Sequence, residues 1–510
     1  MSNILRAAGL PFLCTPVPTL ERCYYDSFDW RLYAANLLLF SEKSRDGRVR
    51  LRLRELDSGF DLVAIDVTDI PCFAAEMPRG VMRDRLLPVL KGRRLLPLAH
   101  LTGRRDEFRV FDAERKTVMR ACVERHRVDT GDRQVRLRER VEVTPVRGFT
   151  EPLHAVLPLL ERYPESQVLE GDLFDEALQI LDRHPLDYHA RPTLKVERGD
   201  TVGAAARAIF LHLLGVIEAN EDGVRQELDA DFLHDLRVAL RRTRTLLREM
   251  HHILSAPHFA HYRDEFTWLA SITGPVRDLD VQLEASARYA DLLEPAQASQ
   301  HQDIEALRGL LRSQRTAQRR FLLEGLASSR YRSLKKGWRA LLEAQERWTG
   351  AECDEPAVEA ALAMMRHRHA RVMERGEKLD AQSADKNFHA MRKQVKRLRY
   401  LIELFDGALA AHRAHGVLTN LKALQKVLGE HQDFAVHIAV LEQIQESCAT
   451  QDRPSPAVRV IAPLLDQLRE RRRAVAEDFA SVFSRFAKDE KARKKLFRVP
   501  SDADHQESAQ

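Results

Sequence analysis

The chain has 510 residues, of which 31% are charged and 44% hydrophobic, a balance typical of a soluble, helix-rich protein with two or three domains. Its 81 lysines and arginines nearly cancel its 76 acidic residues, so the net charge of +5 identifies no partner and only local clusters are informative. The six cysteines lie far apart without a CxxC pair, which argues against a disulfide framework and a structural zinc site.

No targeting or membrane segment is expected. Arg6 and Pro11 interrupt the short apolar stretch at the start, which therefore lacks the core of a signal peptide. No uninterrupted apolar run approaches the roughly 18 residues of a membrane span. We therefore expect a cytoplasmic protein without a membrane partner.

Short segments with period-two alternation dominate the chain up to about residue 195. The clearest predicted strand is Arg48–Arg54, with arginines on one face and valine and leucine on the other. Two strands are expected within 108–128 and further alternation within 135–143, and two short helices at 153–161 and 173–181. These patterns predict an antiparallel, β-rich domain over residues 1–195.

Long amphipathic helices with few breakers replace this pattern after residue 200, so the overall fold class is α+β. The predicted helices cover 202–219, 231–254, 259–272, about 298–320 and about 356–377. Residues 491–510 are polar and are expected to be disordered.

A basic segment occurs twice in the helical part. His234–Arg244 recurs as His389–Arg399 at an offset of 155 residues, and Gly274 recurs as Gly429 at the same offset. A duplication of this length predicts two similar helical bundles rather than an array of short repeats. The repeats are expected at about 200–345 and about 355–490.

Helical spacing places the basic residues of each segment on one face and apolar residues on the other. The cationic rows consist of His234, Arg237, Arg241 and Arg244 in the first repeat and His389, Arg392, Lys396 and Arg399 in the second. Arg242, Lys393 and Arg397 broaden these faces.

A charge run is ordinarily a solvated helix face, but such faces mix signs, whereas residues 386–399 contain no acid. Arginine forks and lysine point charges suit phosphate oxygens, so the rows predict a multivalent phosphate-type ligand. No metal or other cofactor is expected. Asp278 and Asp433 are interpreted as structural carboxylates that cap a helix or pair with a row arginine. The basic stretch 308–339 is a second candidate for the basic surface.

The segments around His234 and His389 resemble the paired signatures of the CHAD family, the conserved-histidine α-helical domain. The sequence Gly274-Pro-Val-Arg-Asp278 is similar to that family's arginine–aspartate segment, and the second copy keeps the aspartate but has Gln432 instead of arginine. The resemblance covers about 196–490. It implies two four-helix bundles related by a pseudo-twofold axis, a basic surface that binds inorganic polyphosphate, and association with polyphosphate granules and their proteins.

Residues 24–32 resemble, more weakly, the tyrosine–aspartate stretch of CYTH domains, which implies a degenerate CYTH-like, tunnel-type domain. Active CYTH enzymes carry an ExExK strand whose glutamates hold a metal, and this chain has no such motif. We therefore predict a non-catalytic, polyphosphate-binding protein without catalytic residues. A metal-dependent inorganic triphosphatase and a nonspecific nucleic-acid-binding protein are the alternatives.

Overall fold

A computed structural model of the chain describes two compact units, Met1–His189 and Ala190–Gln510. They are called the N-terminal unit and the helical unit below. The residues described are all except 44–46, 163–166, 169–170, 192–198, 294–297, 345–347, 349, 351, 406–410, 450–454, 490–492, 495–496 and 498–510. The expected boundary at 195 and most of the expected disordered tail lie outside the described residues.

The N-terminal unit contains an eight-stranded antiparallel sheet. Seven strands are in the order β4-β3-β2-β1-β5-β6-β7, and β8 also pairs with β6. The strands are β1 (Phe12–Asp26), β2 (Leu37–Lys43), β3 (Val49–Glu55), β4 (Asp61–Val67), β5 (Leu96–Phe111), β6 (Thr117–Asp129), β7 (Gln134–Arg136) and β8 (Arg140–Pro145). The predicted antiparallel, β-rich architecture is thus confirmed.

Five short helices pack around this sheet: α1 (Ser2–Ala7), α2 (Arg31–Ala34), α3 (Val81–Leu90), α4 (Glu151–Glu161) and α5 (Leu173–Ile180). The alternation of apolar and charged residues along β3 decides which face of this strand α3 covers. Leu51 and Leu53 are fully buried against Met82 and Leu86 of α3, as the period-two pattern predicts.

The arginines on the opposite face of the sheet are neutralised within the unit. The buried Arg22 donates to Glu42 at 2.6 Å and to Glu124 at 3.2 Å, and Arg105 bonds the same two carboxylates. Burial raises the pKa of Glu42, but the charges of these arginines lower it by more, to about 2. The sheet interior is therefore internally ion-paired.

The helical unit consists of long helices connected by short segments. They are α6 (Val202–Gln226), α7 (Ala230–Glu249), α8 (Ala256–Ser286), α9 (Tyr289–Leu292), α10 (Ala298–Ala327), α11 (Ser329–Glu343), α12 (Ala357–Gly376), α13 (Asp385–Leu404), α14 (Ala411–Ala449) and α15 (Val458–Lys488). The predicted helical region is confirmed, although α8 and α10 are longer than the sequence indicated.

Two four-helix groups arise from neighbour packing along the chain. In the first, α7 packs between α6 and α8, and α8 packs on α10. In the second, α12, α13, α14 and α15 pack consecutively. An apolar cluster joins the groups, since Leu307 and Leu311 of α10 share it with Leu464 and Leu465 of α15. The two repeats therefore form one continuous core.

One helix among the described residues, α6, is long and apolar enough to cross a membrane by length and composition alone. Its most apolar window is 56% buried inside the helical unit, which is the environment of a core helix. Ile209, Phe210 and Leu213 on this helix are fully buried.

Candidate anion-binding site

The two cationic rows lie on α7 and α13, which occupy corresponding places in the two helical groups. Asp229 begins α7 by accepting hydrogen bonds from the backbone of Asp231 and Phe232. Leu236 and Leu240 of α7, like Met391 and Val395 of α13, are buried. The apolar face fixes each helix in its bundle and leaves the basic face for the site.

The rows converge on one cavity of about 710 Å³. Nine of the eleven residues predicted from the sequence line it: His234, Arg237, Arg241, Arg244, His389, Arg392, Lys393, Lys396 and Arg397. Two separate helices therefore contribute to a single site. A contact across the repeats holds them together, since Arg241 Nη1 donates to Tyr400 Oη over 3.1 Å.

The other two predicted residues do not line the cavity. Arg242 has a side chain only 4% exposed and donates to Glu403 at 3.1 Å and to the carbonyl of Ala190 at 2.8 Å. Arg399 bonds Glu403 at 2.6 Å and Gln425 at 2.6 Å. The structure thus places both in packing contacts, where each guanidinium is ion-paired with Glu403.

Several lining residues were not among the sequence candidates. Arg248 extends the first row by one further turn of α7, and Arg277 comes from α8. His437 comes from α14, where its buried Nε2 has no hydrogen-bond partner. The family-like segment around Arg277 could have indicated that residue, whereas His437 carries no local signal.

Positive charge dominates the lining. Nine arginine and lysine side chains face two aspartates, a surplus of seven positive charges when every lysine is charged. Burial lowers the pKa of Arg237 to about 10, and burial lowers the pKa of Arg392 as well. The buried Nε atoms of both guanidinium groups have no hydrogen-bond partner.

Lys396 lies where the two rows meet. Its burial, followed by the charges of Arg241 and Arg392, lowers its pKa to about 6. The amine is therefore largely neutral at pH 7. An anion that neutralised its two arginine neighbours would raise this pKa and restore the charge.

The two repeat histidines have different surroundings. Partial burial, then the charge of Arg277, lowers the pKa of His234 to about 4, so its ring is neutral at pH 7. His389 instead hydrogen-bonds the side chain of Gln432, the residue that replaces arginine in the second repeat. The surroundings of the two histidines therefore differ at one equivalent position of the following helix, which is Arg277 in the first repeat and Gln432 in the second.

The paired aspartates belong to the cavity. Asp278 lies within α8 and Asp433 within α14, so neither caps a helix, and that part of the interpretation is wrong. Asp278 Oδ1 lies 4.0 Å from Arg237 Nη2. The pKa of Asp433 is raised by burial and held down by Arg392 and Lys396. Asp278 therefore pairs with a row cation, whereas Asp433 is influenced by the charges of two row cations.

The basic stretch 308–339 does not form a free cationic surface. Eight of its ten basic residues make ion pairs with carboxylates: Arg308, Arg312, Arg315, Arg319, Arg320, Arg330, Lys335 and Arg339. The hypothesis that this stretch widens the basic surface is not supported by these contacts.

Comparison with known proteins identifies the helical unit. Residues 208–442 match the family model of the CHAD domain. The helical unit contains a CHAD domain. The expected CHAD resemblance is thereby confirmed, and both rows of the CHAD domain fall within the matched residues.

Two curated proteins of Mycobacterium tuberculosis, the uncharacterized proteins MT2285 (strain CDC 1551 / Oshkosh) and Rv2226 (strain ATCC 25618 / H37Rv), are each 30% identical to this chain over 207 residues. The match covers 40% of this chain and 39% of each relative, so the chain spans about two fifths of the length of these curated relatives.

Among solved structures, the CHAD domain from the plant Ricinus communis aligns with a TM-score of 0.50 at 23% identity. The alignment covers 59% of this chain and 96% of the plant domain, which shows a shared fold. PptA from Streptomyces chartreusis aligns with a TM-score of 0.45 at 17% identity, over 57% of this chain and 99% of that protein.

Proposed function

We propose that the CHAD domain binds inorganic polyphosphate in the cavity between α7 and α13. The observation that carries this proposal is the convergence of both cationic rows on one site lined by nine arginine and lysine side chains and two aspartates. Arginine forks bind phosphate oxygens through charge-assisted hydrogen bonds, and lysines add point charges. A linear anion with a charge on every unit matches such a lining better than a single phosphate.

The lining also favours polyphosphate over nucleic acid. Proteins that bind single-stranded nucleic acid combine a basic groove with several aromatic side chains on which bases stack. Among the described residues, one phenylalanine, tyrosine or tryptophan lines the cavity, namely Tyr400. Its hydroxyl accepts a hydrogen bond from Arg241. Nonspecific nucleic-acid binding is therefore the weaker candidate.

A titration with long-chain polyphosphate tests the proposal directly. The variant R237A/R241A/R392A/K396A removes two cations from each row and should reduce affinity by at least about a hundredfold, since each charge-assisted bond contributes about 1.5–3 kcal/mol. Wild-type binding should weaken steeply with salt, because bound chains release counterions.

Duplex DNA of matched charge is the competitor in the same experiment. Strong preference for polyphosphate that the quadruple variant loses supports the proposal. Equal binding of both polymers, or unchanged binding by the folded variant, contradicts it. Circular dichroism shows whether the variant keeps its helices.

Association with polyphosphate granules in the cytoplasm follows from this function, either through direct binding or with granule proteins. A fluorescent fusion of the full chain should colocalise with granules stained for polyphosphate. The quadruple variant should be dispersed if binding is direct and should still colocalise if a granule protein recruits it.

We further propose that the N-terminal unit is a CYTH-like sheet whose interior ion pairs replace ligand contacts. The proposal is supported by the eight-stranded antiparallel sheet and by the engagement of Arg22 and Arg105 with Glu42 and Glu124. Such a unit should release no phosphate from tripolyphosphate with magnesium or manganese. Measurable release would instead favour the metal-dependent triphosphatase.

A further inference from the structure

The duplicated helices break their symmetry at one pair of positions. Arg242 and Glu403 form a buried ion pair between α7 and α13, with side chains only 4% and 10% exposed. At the repeat offset of 155 residues, Arg242 is equivalent to Arg397, and Glu403 is equivalent to Arg248. One end of the helix pair therefore has an arginine and a glutamate in contact, whereas the equivalent positions at the other end are both arginines.

These two arginines remain without an acidic partner. Both line the cavity, and no carboxylate lies within 4.0 Å of either among the described residues. Burial, then the charge of Arg248, lowers the pKa of Arg397, whereas the charge of Glu249, which is ion-paired with Arg368, raises it by less. Two cations without an ion-paired carboxylate at the wall of a cavity favour an anion there.

The first row also continues past this end, whereas the second row ends in an ion pair. Arg244 and Arg248 line the cavity and also a smaller pocket, whose other lining residues are Leu247, Phe259, Arg263 and Thr267. Their counterparts, Arg399 and Glu403, bond each other at 2.6 Å and do not line the cavity. The cationic surface is therefore open in one direction only.

We propose that a polyphosphate chain longer than the cavity leaves it between Arg248 and Arg397 and continues along α7 and α8 over Arg244 and Arg263. This inference rests on the proposed polyphosphate binding and adds a direction and a second subsite to it. Arg263 is exposed, and its Cζ lies 5.8 Å from the centroid of the Phe259 ring. Its guanidinium forms an ion pair with Asp264, whose side chain is 64% exposed. This exposed ion pair can open for a phosphate at little cost.

Two variants of the full chain test the subsite. R248E restores an acid opposite Arg397, as in the Arg242–Glu403 pair, and so should close this end. R263Q removes a cation that lines only the smaller pocket. R473Q is the matched control for R263Q, because Arg473 is exposed on α15 and lines neither pocket.

Affinities for long-chain polyphosphate and for tripolyphosphate are measured for each protein. R263Q should lower the affinity for the long chain about tenfold, as expected for one lost charge-assisted bond, and leave tripolyphosphate binding within about twofold. R248E should lower the ratio of long-chain to tripolyphosphate affinity by at least as much. The salt dependence of long-chain binding should become shallower by about one unit per lost contact.

The outcomes separate this inference from the proposed function. A wild-type protein that binds neither polymer overturns both. A wild-type protein that binds the long chain while R248E and R263Q keep its affinity ratio overturns the exit subsite alone. Equal losses in R263Q and R473Q also overturn it, because they would reflect net charge and not a site.

Discussion

Arg241 of α7 donates a hydrogen bond of 3.1 Å to the phenolic oxygen of Tyr400 on α13. This contact joins the two repeats through two residues that line the cavity. The positions equivalent to Arg241 and Tyr400 are Lys396 and Thr245. The repeats therefore differ at both positions that make this contact.

Replacing Tyr400 with phenylalanine should weaken both stability and ligand binding. The change keeps the ring but removes the acceptor that orients Arg241, so unfolding free energy should fall by about 1 kcal/mol and polyphosphate affinity by about threefold. Denaturant unfolding and a polyphosphate titration measure these effects. Y289F is the control, because Tyr289 is a buried tyrosine outside the cavity. Equal affinity losses in both variants would contradict the role of the Arg241 contact.

Arg242 and Arg397 occupy equivalent positions but should respond differently to replacement by methionine. R242M breaks a buried ion pair and should lower the unfolding free energy by about 3 kcal/mol, the lower end of the usual range because Glu403 keeps Arg399. R397M removes a cation that has no ion pair among the described residues, and it should leave stability unchanged or higher while weakening polyphosphate binding. Chemical denaturation and titration of both proteins distinguish the two roles. Loss of affinity without loss of stability in R242M would restore that residue to the ligand site.

Periodicity was sufficient to predict β3, the hairpin end of β5 with β6, the helical rows and nine of the residues that line the cavity, but it did not predict β1, β2 or β4. The alternation around Leu51 and the spacing of Arg237 and Arg241 are local signals, and the structure follows them. The length of α8 was underestimated because Gly274 and Pro275 look like helix breakers, yet tertiary packing keeps the helix continuous through both.

The errors within the site have a tertiary origin. Arg242 follows Arg241 directly, so it points about 100° away from the row, and its partner Glu403 is 161 residues distant. No local pattern indicates such a partner. Conversely, Arg277 and His437 enter the cavity from α8 and α14, whose approach depends on the bundle packing. Residues supplied by neighbouring helices were therefore missed for the same reason that Arg242 was expected in the site although it does not line the cavity.

Gly274 and Gly429 provide a second matched pair. A Cβ at Gly274 would lie 3.2 Å from Arg237 Nη1, whereas nothing lies within 4 Å of a Cβ at Gly429. Alanine at either position should raise helix stability by up to about 1 kcal/mol. Only G274A should displace the Arg237 guanidinium and lower polyphosphate affinity, by about threefold for a weakened contact. Equal affinities of the two variants in a titration would show that the guanidinium adjusts freely.

Lys396 should make the stability of the ligand-free protein depend on pH. Its pKa is about 6 in the folded protein and 10.5, the ordinary value for lysine, in the unfolded chain. Between these values the unfolded state binds more protons, so the unfolding free energy should rise with pH from about 6 to about 10. K396R stays charged throughout this range and should lose that dependence. Denaturation curves at several pH values compare the two proteins, and identical pH dependences would contradict the buried, neutral amine.

Ligand binding should reverse this effect and take up a proton. Polyphosphate favours the charged amine, so its pKa rises on binding, and affinity should decrease as pH increases above about 6. Calorimetry in two buffers with different ionisation enthalpies measures the uptake, which should approach about one proton per chain near neutral pH. The neutral rings of His234 and His437 face the same cavity and add to the uptake at lower pH. K396R keeps these histidines, so the uptake it loses belongs to Lys396; equal uptake by K396R and wild type would assign the proton to another group.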